Sequence, residues 1–259
     1  MNHEEINTGL KQLRLKSMAL AYAEVAKIAE QQKLTYENYL GKLVEGELLE
    51  KHASRVKRFL KDAKVTLPKT LDTYDFTVRT GISAKQIKRL AEGNFVREAA
   101  NVVFYGSFGL GKTHLALSLT QMLCENGFRC YFSSTHRLID DLSKAKRDLE
   151  LSTLTRRLDR FDLIVCDELG YIPHDQVGAD LFFQLISQRA ERKSMLFTTN
   201  LTYSEWDKVF INPITTAAAV DRIIYNCETF NIGGPSWRTE EATKKRTAAL
   251  TKIVTETTH

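Results

Sequence analysis

The sequence predicts an α/β fold: a parallel β-sheet core with helices on both faces, preceded by a small all-helical domain. Two observations predict it. Residues 5–64 contain no proline, and apolar residues recur there at helical spacing: Leu10, Leu13, Met18, Tyr22 and Val25, then Tyr36, Leu40, Leu43 and Leu48. From residue 100 the pattern changes to short, nearly continuous apolar runs separated by helical stretches. A strand reads as continuously apolar when both faces of its sheet are covered, as in parallel sheets.

The helical domain is expected over residues 1–68, because Pro68 and the polar stretch 66–75 punctuate the pattern. In the second domain, residues 69–259, Ser83 is placed to cap a short helix that runs to Leu90. Strands are then expected at 101–105 (NVVFY), 128–133 (FRCYFS), 161–166 (FDLIVC), 194–199 (SMLFTT) and 228–232 (ETFNI), with helices between them.

Composition narrows the class. An apolar fraction of 43%, a charged fraction of 27% and only 4 prolines are those of an ordinary globular protein, not of a disordered chain. Cys124, Cys130, Cys166 and Cys227 form no C-x-x-C pair, and no histidines stand at ligand spacing. They are expected to be reduced thiols in the cytoplasm. The start MNHEEINTG lacks a basic stretch leading into an apolar run, and no window approaches the ~18 apolar residues of a membrane span, so secretion and membrane spanning are not expected. Net charge is only +5, yet residues 51–100 hold 12 Lys+Arg against 5 Asp+Glu, a local excess of +7. Such concentration on a nearly balanced chain suggests a polyanionic partner.

The run 101–105 leads into Gly106-Ser107-Phe108-Gly109-Leu110-Gly111-Lys112-Thr113, and His114 onward continues as a helix. This is G-x-x-x-x-G-K-[ST] in a strand–loop–helix context, the P-loop. Its glycines let backbone N–H groups turn inward on a phosphate, and the helix adds its positive dipole end. Lys112 is expected to reach the β- and γ-phosphates of ATP, and the Thr113 hydroxyl to ligate magnesium. Downstream, 161–166 runs into Asp167-Glu168. Asp167 fits the carboxylate on the Mg2+ side, and Glu168 fits a general base that polarises water for attack on the γ-phosphate. Two adjacent carboxylates favour hydrolysis over transfer to another acceptor, which a kinase must shield from water. The run 194–199 ends at Asn200, a polar amide placed to contact the γ-phosphate or the attacking water.

Longer strings carry a resemblance. GKTHLALSL, CDELGYIP, TTNLTYSEW, VDRIIYNCETFNIGGPSWR and DFTVRTGISAKQIKRLAEGNFV resemble IstB-type transposition proteins over nearly the whole chain. The helicase loader DnaC is a more distant relative, alike mainly in the ATPase half. The resemblance implies an AAA+ core with little or no C-terminal lid, a homo-oligomer assembled with ATP on duplex DNA, and delivery of a target site to a partner transposase of the IstA type. It also implies that Asn200 is the sensor residue and that Arg222 is an arginine finger entering a neighbouring subunit's site; Arg189 and Arg192 are alternatives. Ser107-Phe108 stands where family members usually carry prolines, which changes loop stiffness but removes no phosphate ligand. No second-sensor arginine is identifiable, Arg238 being a weak candidate.

The competing function is that of a DnaC-like replicative helicase loader, which shares the same engine. Its adaptor domain is where the two part, and residues 1–70 here read as the transposition type and lack cysteines for a metal-dependent adaptor. A small-molecule P-loop kinase would need an acceptor pocket and an arginine-bearing lid, and no segment reads as either. The DNA-binding candidates are Lys51, Arg55, Lys57, Arg58, Lys61 and Lys64, interrupted only by Asp62 among acids. If 48–64 is one helix, Leu48, Leu49, Val56, Phe59, Leu60 and Ala63 form its packing stripe and the cations flank it.

Overall fold

The computed structural model describes residues 1–65, 70–171 and 175–237. The chain divides into two compact units, Met1–Arg58 and Phe59–His259. Residues 66–69, where the sequence suggests a boundary, lie outside the described residues.

The first unit holds α1 (His3–Gln12), α2 (Lys16–Gln31) and most of α3 (Tyr36–Asp62). Asn2 caps α1 in a reciprocal box with Glu5. No side chain of its own caps α2, whose N-cap is Leu15. Glu47 of α3 does so instead: the N–H groups of Ser17 and Met18 donate to its carboxylate at 2.8 and 3.0 Å. An acid at a helix start meets the orphan donors and the positive dipole end together, which explains how Glu47 is tolerated at 4% exposure.

Helix α3 departs from the expected single helix over 48–64. It stops at Asp62, and Lys64 lies beyond its end with φ at +56°. Leu48 and Leu49, expected in the packing stripe, are 62% and 65% exposed, whereas Phe59 and Ala63 are buried. The apolar pattern at 48–49 continues the helical spacing of the preceding turns but meets no covering element among the described residues.

The second unit continues with a 3-10 turn at Leu71–Thr73, then α4 (Ala84–Ala91), α5 (Asn94–Arg97), β1 (Asn101–Tyr105), α6 (Lys112–Glu125), β2 (Cys130–Ser134), α7 (Thr135–Arg147) and α8 (Leu151–Leu158). It ends with β3 (Leu163–Leu169), α9 (Gln176–Arg189), β4 (Ser194–Thr199), α10 (Asp207–Phe210), α11 (Pro213–Ile224) and β5 (Cys227–Asn231). Ser83 caps α4 together with Gln86, as its sequence position suggests. The five strands form one parallel sheet in the order β2-β3-β4-β1-β5.

Alternate residues of each central strand feed two cores, one on each face. Val102, Phe104, Leu163, Val165 and Leu196 enter one; Val103, Ile164, Cys166, Met195 and Phe197 enter the other. Period two with both faces covered is what makes these strands read as unbroken apolar runs. β1 and β4 have the expected bounds. β3 runs on to Leu169, so Asp167 and Glu168 lie inside the strand instead of after it. There the register against β4 slips: Cys166 faces Phe197 but Leu169 faces Thr199, so β3 spends three steps where β4 spends two. This is a β-bulge, and Glu168 sits in it with φ at +59°.

Arg189, at the end of α9, is 1% exposed. Its guanidinium donates to the carbonyls of Leu158, Phe161, Asp162 and Ser194, tying α9 to the starts of β3 and β4. Burial pulls its pKa down to about 10, which still leaves it charged at neutral pH. Arg189→Leu strands those carbonyls without donors and should lower the unfolding free energy by about 3 kcal/mol or more, measured by urea unfolding. A loss under about 1 kcal/mol would show that the four bonds contribute little.

Candidate active site

Because β4 is inserted between β1 and β3, the carboxyl ends of the three strands lie side by side, where ligands bind in open parallel sheets. The loop after β1 bends sharply back onto the helix that follows. Gly106 has φ at +152°, and a Cβ there would collide with the Ile232 carbonyl oxygen. Gly111 has φ at +81°, and a Cβ there would lie 2.6 Å from the Tyr74 ring. Only glycine fits either position, so the turn from β1 into α6 depends on both. Lys112 Nζ folds over that loop, donating to the carbonyls of Gly106 and Ser107 at 2.7 Å each.

Above the loop opens a cleft of about 490 Å³ lined by Phe108, Gly109, Leu110, Gly111, Lys112 and Thr113, and on the far side by Glu168, Thr198, Thr199 and Asn200. The predicted P-loop, Glu168 and Asn200 thus share one cavity. Asp167 stands behind them, 6% exposed. One of its oxygens, Oδ1, accepts from the Thr113 hydroxyl at 3.0 Å and from the Thr198 hydroxyl at 2.5 Å. Burial raises its pKa, with the two hydroxyl donors and Lys112 pulling the other way. A hydroxyl beside a buried carboxylate is the hard-oxygen donor set that magnesium takes, and it fits that ion.

The bulge is pinned by threonines. Thr135 Oγ1 donates to the Asp167 carbonyl at 3.0 Å, Thr198 Oγ1 accepts from the Glu168 N–H at 2.9 Å, and Thr199 Oγ1 donates to the Leu169 carbonyl at 2.9 Å. The Asp167 side chain is buried and bonded to Thr113, and the Glu168 side chain is exposed at the cleft.

One wall of the cleft has no local sign in the sequence. Tyr74, Asp75, Arg79 and Trp237 also line the cleft. Tyr74 donates its hydroxyl to the Leu110 carbonyl at 2.9 Å, and burial pushes its pKa up to about 12. Arg79 donates to the Pro235 carbonyl. These residues arrive because Thr80 and Gly233 form an antiparallel bridge, each N–H donating to the other's carbonyl at 3.1 Å. Nothing local in DTYDFTVR signals that pairing.

The arginine candidates separate clearly. Arg189 is buried and bound to carbonyls as described above, which leaves it no surface to offer another subunit. Arg192 is exposed and pairs with Asp159 at 3.7 Å. Arg222 is exposed on α11, over the Phe183 ring at 5.2 Å and donating to the Ala218 carbonyl at 2.9 Å; it does not line the cleft. Arg238, and with it the expectation of little or no lid, falls outside the described residues.

Among the cations of 51–64, Lys51, Arg55, Lys57, Arg58 and Lys61 are exposed on α3. Lys51 lies 3.5 Å from the Glu47 carboxylate and Arg55 contacts His52. Lys64 is different: it is half-buried, hydrogen-bonded to the Tyr131 hydroxyl at 3.1 Å, with its ammonium 4.9 Å from that ring's centre. No helix among the described residues is long and apolar enough to cross a membrane.

A G-x-x-x-x-G-K-[ST] loop between β1 and α6, with β4 inserted between β1 and the acidic strand, is the arrangement of a P-loop fold. Within that class the family described as IstB-like ATP binding protein matches residues 8–246, and the chain belongs to it. It is 34% identical over 90% of its length, and 78% of the relative's, to a Sinorhizobium fredii protein named as an insertion sequence ATP-binding protein. It is 32% identical to the Pseudomonas aeruginosa protein so named for insertion sequence IS21, covering 97% of this chain and 94% of that one. Among solved structures, the DnaC helicase loader superposes with a TM-score of 0.52 at 23% identity over 68% of this chain and 99% of that chain, a likeness of fold.

The raised pKa of Asp167 means that its ionised form opposes folding: its favourable contribution is present below the ordinary aspartate pKa and is lost as pH rises through the folded value. Asp167→Asn should therefore melt no lower than the parent in metal-free buffer at neutral pH, and should lose the parent's stabilisation by magnesium with nucleotide. Thermal melts with and without magnesium and nucleotide check this; a marked drop in the metal-free melting temperature would contradict it.

Proposed function

We propose that this protein is an ATPase that self-assembles with ATP on duplex DNA and recruits or stimulates a partner transposase at the target site. The observation that carries the reading is the hydrogen bond from Thr113 to Asp167, joining the P-loop to the acidic strand, with Glu168 facing the same cleft. The P-loop amides and Lys112 would hold the phosphates, and Thr113 with Asp167 would hold Mg2+, which would supply neutralisation of phosphate charge. Glu168 takes the proton of the attacking water, and Asn200, lining the cleft beside it, orients that water. Arg222, exposed on α11, would serve the site of a neighbouring subunit, where a cation stabilises charge in the transition state.

The insertion-sequence setting of the relatives favours a transposition role over helicase loading, since the likeness to DnaC is confined to fold. Duplex DNA is the polyanion that the exposed cations of α3 suit: Lys51, Arg55, Lys57, Arg58 and Lys61 occupy one broad face, and few aromatics interleave for base stacking. Lys64, engaged with Tyr131, makes the weakest claim to a phosphate.

Glu168→Gln should bind ATP as the parent does and hydrolyse it about 100-fold more slowly, measured by phosphate release and equilibrium titration. Hydrolysis at the parent rate would remove Glu168 from the role of base. Replacing Arg55, Lys57, Arg58 and Lys61 together by Gln should weaken binding equally to unrelated duplexes and flatten the log–log salt dependence by about 0.9 for each phosphate no longer neutralised. Basal ATPase without DNA should hold; an unchanged salt slope in a folded variant would assign DNA binding to another surface.

A further inference from the structure

The bulge at Asp167-Glu168 stands beside the cleft with Glu168 at φ +59°, and what holds it is specific. A non-glycine residue at φ +59° is strained and persists only where its surroundings impose it. At Glu168 the imposing group is the Thr198 hydroxyl, itself 1% exposed. It accepts from the Glu168 N–H at 2.9 Å and gives its one proton to Asp167 Oδ1 at 2.5 Å. A hydroxyl has a single donor, so the two bonds fix both its rotamer and its polarity.

We infer that Thr198 is a positioning residue for hydrolysis, acting through Glu168. The inference rests on the reading of Glu168 as general base. Side chains alternate along a strand with a period of two, so removing the bulge by one residue sends Glu168 to the opposite face. With regular pairing Glu168 would stand opposite Thr199, the place that Leu169 now holds, and its carboxylate would leave the cleft. Thr198 prevents this by satisfying the amide that the bulge frees. The same hydroxyl shares Asp167 Oδ1 with Thr113, so the P-loop helix, the buried acid and the base's backbone belong to one chain of hydrogen bonds.

The test compares Thr198→Val, which keeps shape and removes the hydroxyl, with Thr198→Ser, which keeps it. Thr198→Val should lower kcat about 10-fold or more while the dissociation constant for a non-hydrolysable ATP analogue stays within about threefold, and Thr198→Ser should restore kcat to within about threefold. Added to Glu168→Gln, Thr198→Val should cost nothing further, because its effect passes through the carboxylate already removed. If Thr198→Val fails to fold, Thr198→Ala takes its place in the same comparisons. Parent-like kcat in the folded variant, or a full additional loss on the Glu168→Gln background, overturns the inference. If Glu168→Gln itself hydrolyses at the parent rate, it is the reading of Glu168 that falls.

Discussion

A carboxylate that the fold buries and then surrounds with hydroxyls is the constraint on which this site depends. Asp167 ends the apolar part of β3, and burial there disfavours its charge. Thr113 and Thr198 donate to the same oxygen, one from the first turn of the P-loop helix and the other from the neighbouring strand. The β-bulge answers a different demand: regular alternation would turn Glu168 to the face of Cys166, into the core, and the extra residue leaves it at the cleft instead. Strain at Glu168 is the cost of keeping its carboxyl group at the cleft directly after a buried Asp167.

That cost sits in a sheet well able to bear it. The central strands are buried on both faces, and the threonines that pin the bulge come from two different elements, Thr135 from α7 and Thr198 and Thr199 from β4. Arg189 closes the opposite end of the same strands by binding four carbonyls at once. Rigidity at the amino ends and a held distortion at the carboxyl ends is how a parallel sheet presents loops as a precise cleft.

The P-loop, Asp167, Glu168 and the bounds of β1 and β4 were legible because their signals are local: a glycine pattern, an apolar run, an acid at its end. What escaped depends on pairing between distant segments. The bulge is a property of register, which neither strand states alone. The wall formed by Tyr74 and Arg79 depends on the bridge between Thr80 and Gly233, residues far apart in sequence. Arg189 reads as a cation at a helix end, where surface placement is the ordinary expectation, and only the packed sheet turns it inward. Leu48 and Leu49 failed in the other sense, carrying a helical apolar pattern without burial. Lys64 belongs to a charge run in sequence and to Tyr131 in space.

Whether this cleft binds nucleotide through the P-loop and Asp167 can be read from calorimetric titration of the parent and Lys112→Ala with a non-hydrolysable ATP analogue, with and without magnesium. Saturable binding by the parent that tightens with magnesium is expected, and none by Lys112→Ala under the same conditions, with its fold intact by circular dichroism. Equal binding by both proteins would contradict that expectation.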